Sequence, residues 1–423
     1  MTGVQTCALP ICIILPSDLF AHDSPKLRHV TLIGCAVPWH SPLFRDLTHL
    51  DIRIPPAVPF PAPALAAQSD LLLIPTLEQL LSILEAMPSL QELTLGNCLP
   101  RPGSTSRVVV PLRYMSKLSL DGSLSETVAV LERVSLPSSA SLSLRCPDHN
   151  PLDGLLDTLV SLLASHFRAP ETSISPLSTM IIDETDYGLS LTIKVCDTDV
   201  SQRRSQYKPV APARLHLTFG SRYRALVESL PLRVCKALPL QDLQSLSIKY
   251  PEAPWSIADW MSVCIQCPKV AHLHVRDSWA FTLVPTLREP NTFPFLATLA
   301  LQDINFYTPE SPEDAGPLGM SLLAVLRERS NAGIPIQHVH LMTCVWLGGR
   351  WIEMLMEVVN GVTWDIDSDS QSSDLDSQSS DSDSQSSESQ SSSAVDSDSD
   401  SWSGDSGDQG SNTATGTVNT VMI

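Results

Sequence analysis

The stretch LQELTLGNC (Leu90–Cys98) carries the pattern that decides the fold of this chain of 423 residues. The pattern is Leu-x-x-Leu-x-Leu, frequently followed by a Cys shortly afterwards. Because the side chains of a strand alternate between its two faces, Leu93 and Leu95 point to one face and Glu92 to the other. Such a strand buries its apolar face only when further strands of the same kind lie beside it.

Ten further copies of the pattern recur along the chain, at irregular intervals of about 20–43 residues. They are LRHVTLIGC (27–35), LTHLDI (47–52), MSKLSL (115–120), SASLSLRC (139–146), LSTMII (177–182), ARLHLTF (213–219), LQSLSI (243–248), VAHLHV (270–275), LATLAL (296–301) and IQHVHLMTC (336–344). We expect the cysteines that follow these strands to be buried structural groups.

Amphipathic helical stretches lie between many of the copies. In TLEQLLSILEAMPSL (76–90), four leucines fall on one helical face, and Thr76 with Gln79 forms a candidate capping box. A second helix is predicted over PLDGLLDTLVSLLASHF (151–167), and a third begins after Ser123 and runs to Val134.

This alternation predicts an α/β fold over residues 13–365. We expect a leucine-rich-repeat-like solenoid, with a curved parallel sheet on the concave side and helices on the convex side. A doubly wound α/β domain would alternate in the same way. However, no G-x-G-x-x-G or P-loop follows any copy, and eleven copies exceed a sheet of average size. The stretches Pro100–Val108 and Thr185–Val210 are expected to be insertions.

The N-terminal residues match a translated sequencing adapter. TGVQTCALPI (2–11) is what a widely used short-read sequencing adapter encodes. The apolar run Cys7–Pro16 lacks both the positive n-region and the cleavage site of a secretory signal. We therefore interpret residues 1–12 as translated adapter fused to a truncated reading frame, and expect the native N-terminus to be missing.

Charge and cysteine usage exclude several classes of protein. The net charge is −19, of which thirteen acids between Asp365 and Asp408 supply the larger part. The remainder is an ordinary balance without the basic surface that nucleic-acid binding needs. No apolar run reaches the ~18 residues of a membrane span. The cysteines outside the adapter match are odd in number and scattered, which favours reduced thiols and a cytoplasmic or nuclear location.

No motif indicates catalysis, a cofactor or a metal. Cys264 and Cys267 form a lone C-x-x-C with no second pair at zinc-finger spacing, so we expect two small buried residues. No G-x-S-x-G elbow marks a nucleophile among the many serines. The chain is therefore not expected to be an enzyme.

Polar side chains on the predicted strands form a candidate surface for a partner protein. His272 with His274, and His338 with His340, have i, i+2 spacing and so share the face opposite the inward leucines. The strand LATLAL separates the two pairs by about 9–10 Å, too far for one tetrahedral metal site. The candidate partner-contact residues are His29, His49, Asp51, Glu92, Lys117, His216, His272, His274, His338 and His340.

The C-terminal residues 366–423 are rich in Ser and Asp and contain few apolar side chains. We expect this tail to be disordered, because ordering it would cost entropy without burial. It is either a solvating acidic tail or a phosphorylated one. The candidate phosphorylation sites, each with an acid three residues later, are Ser373, Ser380, Ser393 and Ser397.

Several segments, taken in order, resemble the F-box proteins of mushroom-forming fungi, in which degenerate leucine-rich repeats follow an N-terminal F-box. They are VPWHSPLFRDLTHLDI (37–52), TLEQLLSILEAMPSLQELTLGNCLP (76–100), ALPLQDLQSLSI (237–248), WSIADWMSVCIQCPKVAHLHV (255–275) and VVNGVTWD (358–365). The resemblance implies the substrate-receptor subunit of a cullin-type ubiquitin ligase.

In such a receptor the F-box docks the adaptor subunit of the ligase and the repeats hold the protein substrate. The helical F-box module is not found here, since repeat sequence begins by Leu27. This chain is thus expected to supply the substrate-binding repeat region, and to contact the adaptor subunit only if an upstream F-box exists. The alternative is a leucine-rich-repeat scaffold with no ubiquitin role.

Overall fold

The computed structural model describes residues 13–16, 27–36, 38–55, 74–103, 108–147, 153–168, 176–184, 190–197, 213–220, 224–250, 254–306, 316–345, 347 and 349–364. All of these belong to one of two units of the chain, which comprises 1–365 and 420–423. The predictions made for the adapter match at 1–12 and for the tail at 366–423, with its four candidate phosphoserines, lie outside the described residues.

The described residues contain seventeen strands. They are β1 (Ile13–Ile14), β2 (His29–Ile33), β3 (Cys35–Ala36), β4 (His49–Arg53), β5 (Glu92–Gly96), β6 (Val110–Pro111), β7 (Lys117–Asp121), β8 (Val134–Ser135), β9 (Ser141–Cys146), β10 (Thr179–Glu184), β11 (Ser190–Cys196), β12 (Leu215–Gly220), β13 (Ser245–Ile248), β14 (His272–Arg276), β15 (Thr298–Gln302), β16 (His338–Met342) and β17 (Gly361–Trp364).

Eight α-helices and one short 3-10 helix, Pro42–Phe44, connect strands within the described residues. The α-helices are α1 (Leu77–Glu85), α2 (Leu124–Leu131), α3 (Asp153–Arg168), α4 (Arg224–Ala237), α5 (Ile257–Gln266), α6 (Trp279–Thr286), α7 (Gly316–Asn331) and α8 (Gly349–Met356). Consecutive helices from α2 to α8 pack against one another.

One sheet of thirteen strands organises the described residues, in the order β17-β16-β15-β14-β13-β10-β11-β12-β9-β7-β5-β4-β2. All eleven copies of the leucine pattern form strands of this sheet. Neighbouring strands are parallel except at β11, which is antiparallel to both β10 and β12. The predicted mixed α/β class with a large, mostly parallel sheet is confirmed.

Three of the differences between the structure and the predictions concern the large sheet and the end of a helix. The predicted insertion 185–210 contains β11, and only residues 185–189 join it to β10. A parallel crossover needs a dozen or more residues, so this short connection forces an antiparallel strand. The strand β17 was not predicted. The helix predicted to run to Val134 ends at Leu131, because Val134 instead pairs with Val110 in the β6–β8 ladder.

The leucine pattern is explained by one geometry that recurs at several copies, namely those that begin at Leu90, Met115, Leu243, Val270 and Leu296. The first apolar residue closes a turn before the strand: the Leu90 N–H donates to the Met87 carbonyl over 3.1 Å, and Leu296 donates to Phe293 over 3.0 Å. The two leucines on the strand then point the same way, and Leu93 and Leu95 have no exposed surface. Their side chains and the apolar faces of the helices form one continuous core.

The ends of the strands also repeat. A residue with left-handed backbone follows β5, β14, β15 and β16, namely Asn97, Asp277, Asp303 and Thr343 with φ of 54°, 53°, 54° and 48°. After β5, β15 and β16 the next side chain, that of Cys98, Ile304 or Cys344, is buried. The Cys98 thiol donates to the Ile52 carbonyl at 3.6 Å, and the Cys344 thiol donates to the Leu301 carbonyl at 3.5 Å.

The candidate capping box of α1 is present, since Thr76 and Gln79 each accept from the other's backbone N–H. Ser123, after which the third predicted helix begins, forms the same reciprocal box with Glu126 at α2. These reciprocal bonds satisfy backbone donors that a helix start otherwise leaves open, and so define where the helices begin.

Candidate partner-binding face

On the side of the thirteen-stranded sheet opposite the buried leucines, the strands present polar side chains. We call this side of the sheet the polar face. All ten candidate partner-contact residues lie on this face, at positions that alternate with buried side chains. Lys117 and His338 are exposed, whereas the other eight are half-buried. The register gathers them mainly into two clusters at opposite ends of the sheet order.

The first cluster lies on β2, β4, β5 and β7, where His29, His49, Glu92 and Lys117 are consecutive partners in register. The imidazole centroids of His29 and His49 are 3.9 Å apart, and His49 Nε2 is 3.6 Å from Glu92 Oε1. Burial and the neighbouring His29 lower the pKa of His49, while Glu92 acts in the opposite direction.

Charged pairs border this cluster on the polar face. Arg53 donates from Nε and from an Nη to the two carboxylate oxygens of Asp51, both at 2.9 Å. Arg145 Nη1 on β9 lies 3.5 Å from Asp121 Oδ2 on the neighbouring strand β7. This end of the face therefore presents both signs of charge side by side.

His216 lies between the two clusters. Its register partner on the antiparallel strand β11 is Lys194, and burial together with the Lys194 charge lowers the pKa of His216. Sequence reasoning missed Lys194, because β11 does not carry the leucine pattern. The alternation of apolar and polar residues in SLTIKVC (190–196) was the signal from which this strand could have been predicted.

The second cluster contains the four C-terminal histidines. Two rows of side chains cross β14, β15 and β16 in register: His272 with Thr298 and His338, and His274 with Ala300 and His340. Because Thr298 and Ala300 are small, they leave an open groove of about 710 Å³ between the histidine pairs. We call this the histidine groove. Its described lining consists of Ser245, His272, Leu273, His274, Thr298, Ala300, His338, His340, Leu341, Met342, Gly361 and Thr363.

A chain of hydrogen bonds fixes His274 in one tautomer. Gln302 donates from Nε2 to Oδ2 of Asp303 at 3.3 Å, so its Oε1 faces His274 and accepts from Nε2 at 3.0 Å. Nδ1 of the imidazole then accepts from Ser247 Oγ at 3.3 Å. Both nitrogens of His274 are thus engaged within the sheet.

Burial, and not this hydrogen-bond network, keeps His274 uncharged. Burial is the largest cause that lowers its pKa to about 4, and Lys249 acts in the same direction. Gln302 and Asp303 oppose this shift without reversing it. His274 is therefore a neutral wall of the groove near neutral pH.

Asp303 anchors the C-terminal end of the groove from its left-handed turn. Its carboxylate accepts from Arg276 Nε at 2.5 Å and from the Thr343 hydroxyl. Burial alone would raise the pKa of Asp303, but the bonds from Thr343 and Arg276 and the Arg276 charge lower it. Neither Asp303 nor Gln302 belonged to the predicted contact residues.

The unpredicted strand β17 closes the far side of the groove. Thr363 Oγ1 is hydrogen-bonded to His340 Nδ1. Gly361 is the register partner of His338, and a Cβ at Gly361 would lie 2.8 Å from His338 Nδ1. A glycine at this position is thus what allows the His338 ring to lie against the backbone of β17.

The strand β15 does separate the two histidine pairs, as expected from the order of the copies. Within the part of the chain that the structure describes, no group of three or more His, Cys, Asp or Glu side chains is arranged to hold a metal ion. None of the described helices has the length and apolar character needed to cross a bilayer.

The C-x-x-C cysteines lie in the core at the end of α5. Cys264 and Cys267 are buried, and burial raises the pKa of Cys264 to about 12 and that of Cys267 also upward. Protonated, enclosed thiols of this kind are poor nucleophiles and poor metal ligands. The position matches the expectation of two small buried residues.

Comparison with known proteins adds no assignment to this geometry: no family model matches the sequence, and no curated protein matches it.

Proposed function

We propose that this chain is a non-catalytic protein-interaction module, a leucine-rich-repeat-like solenoid whose partner binds along the polar face. The observation that carries the proposal is the alternation of buried leucines and partly exposed polar residues along each strand. The leucines of every copy enter one shared core, and the alternate residues form rows of partly exposed polar groups in register across neighbouring strands.

The chemistry of the polar face supports a protein partner. Mixed charges at Asp51, Arg53, Glu92 and Lys117, with imidazoles and hydroxyls beyond them, offer many directional hydrogen bonds over a broad surface. Protein interfaces carry about one hydrogen bond per 100–200 Å², which such a surface can supply. Rigid strands hold these groups in place, so little entropy is lost on binding.

The resemblance to fungal F-box proteins supports a more specific role, the substrate-binding repeat region of a ubiquitin-ligase receptor. In this role the polar face holds the substrate, and other subunits of the ligase perform catalysis. The chain contributes proximity and orientation of the substrate. A cytoplasmic or nuclear location fits both this role and a set of buried cysteines without disulfides among the described residues.

A charge exchange on the polar face tests the proposal. The double variant Glu92→Lys/Lys117→Glu keeps the net charge and the fold but changes the pattern on β5 and β7. A matched control is the double variant Arg288→Glu/Glu328→Lys. Arg288, in the turn after α6, and Glu328, on α7, form an exposed pair in which Arg288 Nε lies 3.8 Å from Glu328 Oε2. Cross-linking mass spectrometry of complexes captured from a mushroom lysate should place cross-links at the polar face, and capture should fail for the first variant alone. Equal capture by all three proteins contradicts the proposal.

The composition of the captured complex separates the ligase receptor from the scaffold. The gene recovered with its genomic sequence upstream of codon 12 should encode a helical F-box in frame, and the full-length product should capture the ligase adaptor. A gene without an F-box supports the scaffold alternative instead.

A further inference from the structure

The histidine groove is open above β15 because the histidines of β16 lean away from that strand. The His338 imidazole lies over Gly361, and His340 Nδ1 is hydrogen-bonded to a hydroxyl of β17, so both rings are directed toward β17. Between these rings and β14, the small side chains of Thr298 and Ala300 form the floor. The resulting space of about 710 Å³ is large enough to admit a bulky side chain of a partner.

The described lining of the groove has an apolar floor and contains no Asp, Glu, Lys or Arg. Ala300 presents a methyl group, and the half-buried Met342 places a thioether side chain on the polar face. At the corresponding position the two preceding strands of the sheet carry Gln302 and Arg276. The floor therefore favours an uncharged side chain, because a charged one would lose its water of hydration without an ion-pair partner in this lining.

His274 offers the surface of a ring to the groove. Both of its nitrogens are engaged, Nδ1 with Ser247 Oγ and Nε2 with Gln302 Oε1. Because burial lowers its pKa to about 4, the ring is also neutral near pH 7. What remains for a ligand is carbon surface, against which aromatic rings pack in offset or edge-to-face geometry. The sulfur of Met342 makes favourable contacts with aromatic rings as well.

The floor also contains one hydroxyl that the fold does not use. Among the described residues, no side-chain hydrogen bond is made by Thr298, which is half-buried. Thr298 lies two residues before Ala300 on β15, about 6.6 Å along the strand. An aromatic ring over Ala300 that carries a hydroxyl at its far end reaches this group. Phenylalanine or leucine in the same place would leave the Thr298 hydroxyl covered and unpaired, which costs binding free energy.

We infer that the histidine groove holds a tyrosine side chain of the partner protein, with its ring over Ala300 and beside Met342 and its hydroxyl bonded to Thr298. This inference rests on the proposed function and specifies the partner chemistry of one part of the polar face. Tyrosine suits such an anchor, because a rigid ring buries a large area and loses little conformational entropy on binding.

NMR of the full chain with isotope-labelled methionine methyl groups tests the inference. The probe is N-acetyl-tyrosinamide, compared with the N-acetyl amides of phenylalanine, leucine, glutamate and arginine. The Met342 signal, assigned from its absence in Met342→Leu, should shift on titration, whereas the signal of Met320, exposed on α7, should not. The Kd of the tyrosine amide should be about threefold lower than that of the phenylalanine amide. The glutamate and arginine amides should bind at least about tenfold more weakly.

Three variants locate the ring and its hydroxyl. Ala300→Leu fills the space above the floor and should weaken binding of the tyrosine amide at least about tenfold. Ser119→Leu makes the same kind of change at the middle polar position of β7, and this matched control should bind as the parent does. Thr298→Val keeps the shape but removes the hydroxyl, so it should erase the preference for tyrosine over phenylalanine. Circular dichroism confirms that each variant is folded, and the titration of the parent needs no variant beyond the assignment.

Shifts of Met320 as large as those of Met342, equal affinities for all the amides, or unchanged binding to Ala300→Leu overturn the inference. A preference for the glutamate amide points to an acidic partner and overturns it as well. The proposed function fails separately, when the charge exchange at Glu92 and Lys117 leaves partner capture unchanged. A partner captured through the polar face equally by the parent and by Ala300→Leu removes the inference and leaves the proposed function standing.

Discussion

Nε2 of His274 donates to Oε1 of Gln302 over 3.0 Å, and this bond ties β14 to β15 across the polar face. Through Gln302 the imidazole is connected to Asp303, and through Asp303 to Arg276 and Thr343. Side chains from β14, from β15 and from the turn after β16 thus meet at one carboxylate. The network orients one wall of the histidine groove through residues of these two strands and of the turns that follow β15 and β16.

The neutral state of His274 predicts a dependence of stability on pH. The folded pKa of about 4 lies below the ordinary value of 6.5, so between these values the unfolded chain binds the extra proton. The free energy of unfolding should therefore fall as the pH drops through this window, and level off below about pH 4. His274→Gln keeps a hydrogen-bonding side chain but removes the titration.

Urea denaturation of the parent and of His274→Gln between about pH 7 and pH 4 measures this effect. The stability advantage of the parent should shrink by about 2 kcal/mol toward low pH. A difference between the two proteins that stays constant across this range contradicts the assignment of His274 as a buried neutral group.

The two faces of β5 predict opposite sensitivities to substitution. Leu95 is fully buried in the core, whereas its neighbour Thr94 is half-buried on the polar face. Leu95→Ala should reduce the free energy of unfolding by about 3 kcal/mol, through lost burial and the cavity left behind. Thr94→Ala should cost less than about 1 kcal/mol. Equal losses in chemical denaturation contradict the assigned register.

Gly220, the last residue of β12, approaches Pro147, the residue that follows the neighbouring strand β9, too closely for any side chain. A Cβ at this position would lie 2.1 Å from the carbonyl oxygen of Pro147, which is backbone and cannot rotate away. Gly220→Ala should therefore lower stability by more than about 2 kcal/mol. Gly154→Ala in α3 is the matched control, because nothing lies within 4 Å of its Cβ. Thermal unfolding that ranks the two variants equally contradicts this contact.

Arg329 on α7 is buried, and its guanidinium donates to backbone carbonyls rather than to an acid. Nη1 donates to the Thr292 carbonyl and Nη2 to the Phe293 carbonyl, both at 2.9 Å. Burial lowers the pKa of Arg329. Arg329→Met removes these donors from the turn that precedes β15, and should cost about 3 kcal/mol of unfolding free energy.

The control for Arg329 is Arg327→Met, two residues earlier on the same helix at an exposed position. It should change stability by no more than about 0.5 kcal/mol. A partial recovery in Arg329→Lys, which restores a positive donor, separates the lost hydrogen bonds from a packing defect. If Arg329→Met leaves the free energy of unfolding unchanged, the Thr292 and Phe293 carbonyls accept hydrogen bonds from other donors, and the prediction is wrong.

The sequence by itself determined the strands that carry the leucine pattern. The spacing of Leu90, Leu93 and Leu95 is a local property, because a turn followed by two-residue alternation decides which side chains share a face. The same holds for the capping residues Thr76 and Ser123, whose partners lie three positions along the chain. Local geometry of this kind is complete within a few residues, so it predicted the eleven strands and placed all ten candidate contact residues on one face.

Only the tertiary structure decided which polar side chains meet. Lys194 comes beside His216 because β11 enters the sheet antiparallel, and Gln302 reaches His274 because β15 lies next to β14 in one particular register. Strand order, register and burial depend on packing between residues that are far apart in the chain, and single-strand periodicity contains no information about them. The histidine groove exists for this reason: small residues on one strand, Thr298 and Ala300, separate histidines that two other strands supply.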